Sequence, residues 1–98
     1  MCRACRPLPS ETELKARYEE LDGKLNKRYA EVIAKSDKKR VSNVRQVQRN
    51  WIKRRDAGAK FYVSLFPEAE KEQRRLQFFG DVTFSRIAIP VVEWDFGP

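Results

Sequence analysis

The sequence predicts an all-α protein: an antiparallel helical hairpin, a third helix, and an extended or short-strand C-terminal tail. Three observations predict it. Two long stretches repeat apolar residues at spacings of three and four, and a short polar segment separates them. The 24 Leu, Ile, Val and Phe residues, about a quarter of the 98, suit amphipathic helices better than a sheet buried on both faces. That fraction exceeds the roughly one-fifth level below which a highly charged chain stays disordered. The length leaves room for about one domain, assigned to residues 10–98, with residues 1–9 as a disordered lead.

The first helix is expected over about 11–35. Ser10-Glu11-Thr12-Glu13 has the S-x-x-E form of a capping box, and Leu14, Tyr18, Leu21, Leu25, Tyr29 and Val32 then recur as a helical seam. Gly23 costs this helix about 1 kcal/mol relative to Ala without breaking it. Ser36-Asp37-Lys38-Lys39 reads as a turn between antiparallel helices. The second helix, about 39–62, carries Val41, Val44, Gln48, Trp51, Ile52 and Arg55 on one stripe, with Gly58 a weak point near its end. Lys38, Arg45, Arg49, Lys53 and Lys60 fill an adjacent arc. Pro67 is a natural first-turn residue for a third helix over about 67–79, which Gly80-Asp81 should end. The β-branched and aromatic tail from Val82 to Phe96, interrupted by Pro90, is expected as a hairpin, an edge strand or an extended arm.

Composition removes many functions. The chain has no His, which excludes Ser-His-Asp and Cys-His catalysis and imidazole metal sites. Cys2 and Cys5 form one C-x-x-C, half of a four-thiolate zinc site, and no βαβ pattern follows; neither a metal nor another cofactor is expected. The net charge of +7 is concentrated. Residues 35–60 hold ten Lys or Arg against Asp37 and Asp56, and the rest of the chain is near neutral. Lys38, Arg45, Arg49 and Lys53 are therefore candidate anion-binding residues, if they are more than a solvated face. No apolar run of roughly 7–15 residues marks a secretory signal. The longest apolar run, Ile87 to Val92, has six residues and includes Pro90, so no transmembrane helix is expected.

An antiparallel hairpin turning near residue 38 places opposite one another residues whose numbers add to about 77. Asp22 then faces Arg55, Asn26 faces Trp51, Tyr29 faces Gln48, and Ile33 faces Val44. Buried polar atoms need partners, so this register predicts a hydrogen-bonded ladder capped by an Asp22–Arg55 ion pair. These residues also carry a likeness. Asp22, Leu25, Asn26 and Tyr29, followed by Gln48, Trp51, Arg55, Asp56 and Ala57, resemble the D-x-x-L-N-x-x-Y … Q-x-x-W-x-x-x-R-D-A signature of the LprI-type lysozyme-inhibitor N-terminal domain. The likeness covers residues 18–57, and Thr83-Phe84-Ser85-Arg86 resembles a later T-x-x-R segment. Family cysteines that flank the signature and form disulfides are replaced here by Leu14-Lys15-Ala16 and Gly58-Ala59.

The resemblance implies a small, mostly bacterial, periplasmic or secreted helical protein; the sequence, which shows no signal peptide, leaves a cytoplasmic setting open. It also implies a non-enzymatic binder whose partner is a lysozyme or another protein, with occlusion of a peptidoglycan-cleaving enzyme as its activity. Two further readings rest on the residues themselves. One is a basic module for an anionic polymer: nucleic acid, acidic glycan or a membrane surface. The other is an interaction domain that docks through the apolar tail residues Ile87, Ile89, Val91, Trp94 and Phe96. Asp22, Leu25, Asn26, Tyr29, Gln48, Trp51, Arg55 and Asp56 read as architecture rather than catalysis, and the sequence is silent on oligomeric state.

Overall fold

Ser10 and Asp37 start the two long helices by the same local chemistry. Each side chain accepts a hydrogen bond from the amide three residues on, Glu13 N at 3.2 Å and Arg40 N at 2.8 Å, satisfying a donor with no partner inside the helix. In the computed structural model, which describes residues 8–90 together with Glu93 and Trp94, α1 spans Glu11–Ala34 and α2 spans Lys38–Val63. After a 3-10 turn at Glu68–Glu70, α3 spans Lys71–Ile87. The first hairpin thus lies close to its predicted bounds, and the described residues contain no strand.

The third helix differs from expectation. It runs through Gly80-Asp81 and takes up residues 82–87, which the sequence assigns to an extended tail. Gly80 does not terminate the helix, and none of the described glycines adopts the positive φ of a helix C-cap. It is instead a point of close approach: a Cβ there would lie 2.8 Å from Nη1 of Arg17, whose Nη2 pairs with Asp81 Oδ1 at 2.9 Å. Val82, Thr83, Arg86 and Ile87 then face inward, and tertiary burial outweighs the strand preference of the β-branched Val82, Thr83 and Ile87. Val91, Val92 and Phe96, assigned to the tail, lie outside the described residues, as do Cys2 and Cys5.

The molecule is a rod of 48 × 22 × 22 Å. The long helices are joined by the short turn, and α3 packs closely against both, more intimately than they pack on each other. Gln73 Nε2 reaches Pro9 O at 3.1 Å and Arg17 reaches Asp81, so α3 runs alongside α1 in the same direction. At the turn end the core is Leu25, Val32, Val44, Trp51 and Trp94, with Tyr29, Val82, Ile87 and Ile89 packed around it. At the open end aromatic rings take over. Tyr18 stacks on Phe79 and Tyr62 on Phe78, both with centroids 5.5 Å apart.

Candidate binding face

Wherever α3 inserts between the long helices, it takes over their polar partners. Arg86 shows this most clearly. It is 1% exposed, its Nε donates to Gln48 Oε1 at 3.1 Å, and its Nη2 donates to the Trp94 carbonyl at 3.2 Å. The guanidinium also lies 4.1 Å from the centre of the Trp94 ring. No carboxylate neutralises it among the described residues, and burial pushes its pKa down. Its Nη1 and the Thr83 hydroxyl are buried with no hydrogen-bond partner among the described residues. The T-x-x-R likeness is the sequence signal for this pair. Its central place depends on α3 continuing past Gly80, where local preference ends the helix.

The Asp22–Arg55 ion pair of the two-helix register does not form. Arg55 Nη1 instead donates to the Tyr18 hydroxyl at 3.5 Å, one turn earlier on α1, and its Nε donates to Asp56 Oδ1 at 3.2 Å. Its guanidinium lies 4.8 Å from the Phe79 ring centre and 5.3 Å from that of Trp51. The reason is steric and electrostatic together: Phe79 of α3 supplies a π face where the hairpin alone offered a carboxylate. Asp22 is half-buried and has no ion-pair partner among the described residues. Of the other rungs, Ile33 and Val44 pack in one core cluster as the register places them, and Tyr29 and Gln48 line one depression, but the polar pairing differs. Gln48 turns to Arg86, Trp51 is buried in the core with Leu25, and Asn26 is exposed.

A groove between α1 and α2 is open to solvent, and none of its lining residues belongs to α3. Arg45 and Arg49, one turn apart, line two adjoining depressions. One, about 460 Å³, is completed by Ser36, Lys38, Val41 and Ser42. The other, about 310 Å³, is completed by Asn26, Tyr29, Gln48 and Ile52. The signature residues Asn26, Tyr29 and Gln48 therefore reach the surface beside two guanidinium groups, while Leu25 and Trp51 beneath them hold the helices. Gln48 does both jobs: its side chain is anchored from behind by Arg86 and lines the groove in front. Lys38, Arg45, Arg49 and Lys53 are all exposed. Arg49 Nη2 is steadied by Gln46 Oε1 at 2.8 Å.

A third depression is lined by Tyr18, Glu72 and Arg75 among others, and the last two are paired. There the Arg75 guanidinium holds the Glu72 carboxyl below its ordinary pKa and is itself raised by that contact. Among the described residues no cluster of His, Cys, Asp or Glu has the make-up of a metal site. No helix there is long and apolar enough to cross a membrane. A family model described as "Lysozyme inhibitor LprI" matches residues 6–88, most of the chain. No curated protein and no solved structure matches.

Proposed function

This chain belongs to the LprI lysozyme-inhibitor family, and from that premise we propose that it is a non-enzymatic binding protein that slows a peptidoglycan-cleaving enzyme. The contact surface in this reading is the Arg45–Arg49 face. The observation that carries it is the meeting of signature residues with exposed cations: Asn26, Tyr29 and Gln48 line the same open groove as Arg45 and Arg49. Guanidinium groups on a rigid helix pair well with carboxylates, which line glycosidase clefts and also decorate the polymer those enzymes cut. Members of the family are usually exported, which supports this reading, since such polymers lie outside the cytoplasm.

The test is turnover of peptidoglycan by lysozymes of several types with increasing amounts of the protein. Dose-dependent slowing that Arg45→Glu/Arg49→Glu relieves supports the reading; undiminished turnover by every enzyme would reject it.

A further inference from the structure

Resting on that reading, we propose that the partner of this face is the acidic glycan strand itself: Lys38, Arg45, Arg49 and Lys53 form a linear contact for a polysaccharide that carries carboxylates. The protein then slows cleavage by covering the substrate rather than by filling the enzyme's cleft.

The geometry is that of a line. The four cations fall on one arc of α2 and run from Lys38 to Lys53, about 22 Å at the helical rise. All four are exposed. Among the described residues the line is also uncompensated. Residues 38–55 contain no Asp or Glu, whereas cations on the other helices have carboxylates one turn away, such as Lys24 with Glu20 at 3.3 Å and Arg74 with Glu70 at 3.2 Å. The nearest acids at the two ends are engaged: Asp37 caps α2, and Asp56 accepts from Arg55. A ligand along this line therefore meets one sign of charge throughout.

The groups between the cations select a sugar polymer over a nucleic acid. Ser42 and Asn26 offer an exposed hydroxyl and an exposed amide that are bonded to no other described residue, the groups that sugar hydroxyls use. Tyr29 and Ile52 give the second depression an apolar wall that a sugar ring can cover. Single-stranded nucleic acid calls for successive exposed aromatic rings to stack on, and this line has none, since Trp51 is buried in the core. The charge sign makes the same choice against a basic enzyme. A chain of net charge +7 is repelled at long range by a positively charged lysozyme and attracted by a carboxylated strand.

Two measurements on the full chain test this. The first is co-sedimentation with insoluble peptidoglycan, untreated or with its carboxylates converted to amides, without any enzyme. Binding to the untreated polymer should fall about tenfold or more between about 50 and about 300 mM salt. It should fall about tenfold on amidation and about tenfold for the Arg45→Gln/Arg49→Gln variant, whose unchanged helical spectrum and melting temperature serve as the folding control. Equal binding to amidated polymer overturns the proposal, as does tighter binding of a single-stranded DNA competitor than of the glycan. The second is lysozyme turnover on carboxylated cell wall against a neutral chitooligosaccharide. Slowing on the cell wall alone supports substrate coverage, and equal slowing on both assigns the face to the enzyme and overturns it. No slowing on either rejects the inhibitor reading, while the enzyme-free sedimentation still decides whether the strand is bound.

Discussion

Arg86 bears on stability out of proportion to its one side chain. It joins three parts of the turn end: α3 that carries it, α2 through Gln48, and Trp94 through both carbonyl and ring. Arg86→Ala should cost about 3 kcal/mol, because it opens a void and leaves Gln48 and the Trp94 carbonyl unpaired. Arg86→Met should cost less, since it fills the space and removes a buried, unneutralised cation; urea denaturation of the two variants checks the order. For Arg55 the relevant partners are rings. Arg55→Ala should lose about 1–2 kcal/mol through Trp51 and Phe79, while Asp22→Ala should stay within about 0.5 kcal/mol of the parent. Equal losses at the two positions restore the ion pair that the structure lacks. Glu72 sets an acid limit. Its pKa is lowered in the folded state from the usual 4.5, first by the hydrogen bond from Arg75, so its contribution is complete above that value and is lost as pH falls through the folded one. Melting temperature followed downward from about pH 5 should therefore decline less steeply in Glu72→Gln than in the parent.

The helices reverse the usual ranking of glycines as weak points. Gly23 lies on the exposed side of α1, where an added methyl group would have nothing within 4 Å, so Gly23→Ala should stabilise by about 0.5–1 kcal/mol. Gly58 lies well inside α2, and a Cβ there would meet the Phe78 ring at 2.9 Å while that ring is stacked on Tyr62. Gly58→Ala should therefore lower the melting temperature despite its better helix propensity, because an aromatic ring held on its other side has little room to yield. Asp37 is the cap on which the basic helix depends, and Asp37→Ala should cost about 1 kcal/mol. Thermal melts of these three variants separate propensity, packing and capping within one fold.

Across the whole molecule, charge and packing are segregated. The side of α2 toward α3 and the core carries Val44, Trp51 and Ala59, and its opposite flank carries the line of exposed cations. A rod 48 Å long and 22 Å across has a thin core, so the turn end depends on Trp94, fully buried beyond the last helix with its Nε1 bonded to the Ile89 carbonyl at 3.1 Å. Trp94→Ala should cost about 3–5 kcal/mol, a drop in melting temperature of about ten degrees or more for a domain of this size. The same rod presents its basic flank as a long, nearly straight surface, the shape that suits an extended polymer.

The pattern of apolar residues by itself determined the two long helices, the Ser10 cap and the face α1 buries, because spacings of three and four and the chemistry of an N-cap act within a few residues; on α2 it placed Val44 and Trp51 correctly, but Ile52 of the same stripe is exposed and Ala59 is buried instead. Leu14, Leu21, Leu25 and Val32 are buried where their periodicity placed them, and Lys38, Arg45, Arg49 and Lys53 are exposed on one arc. Only the tertiary structure decided which polar groups meet. A register drawn for two helices pairs Asp22 with Arg55 and Tyr29 with Gln48, but α3 continues through Gly80 and brings Phe79 and Arg86 into the space between. A guanidinium takes whichever partner is near in three dimensions, and the helix that supplied these partners is held together by burial against α1 and α2, a long-range contribution that local preference in residues 80–87 opposes.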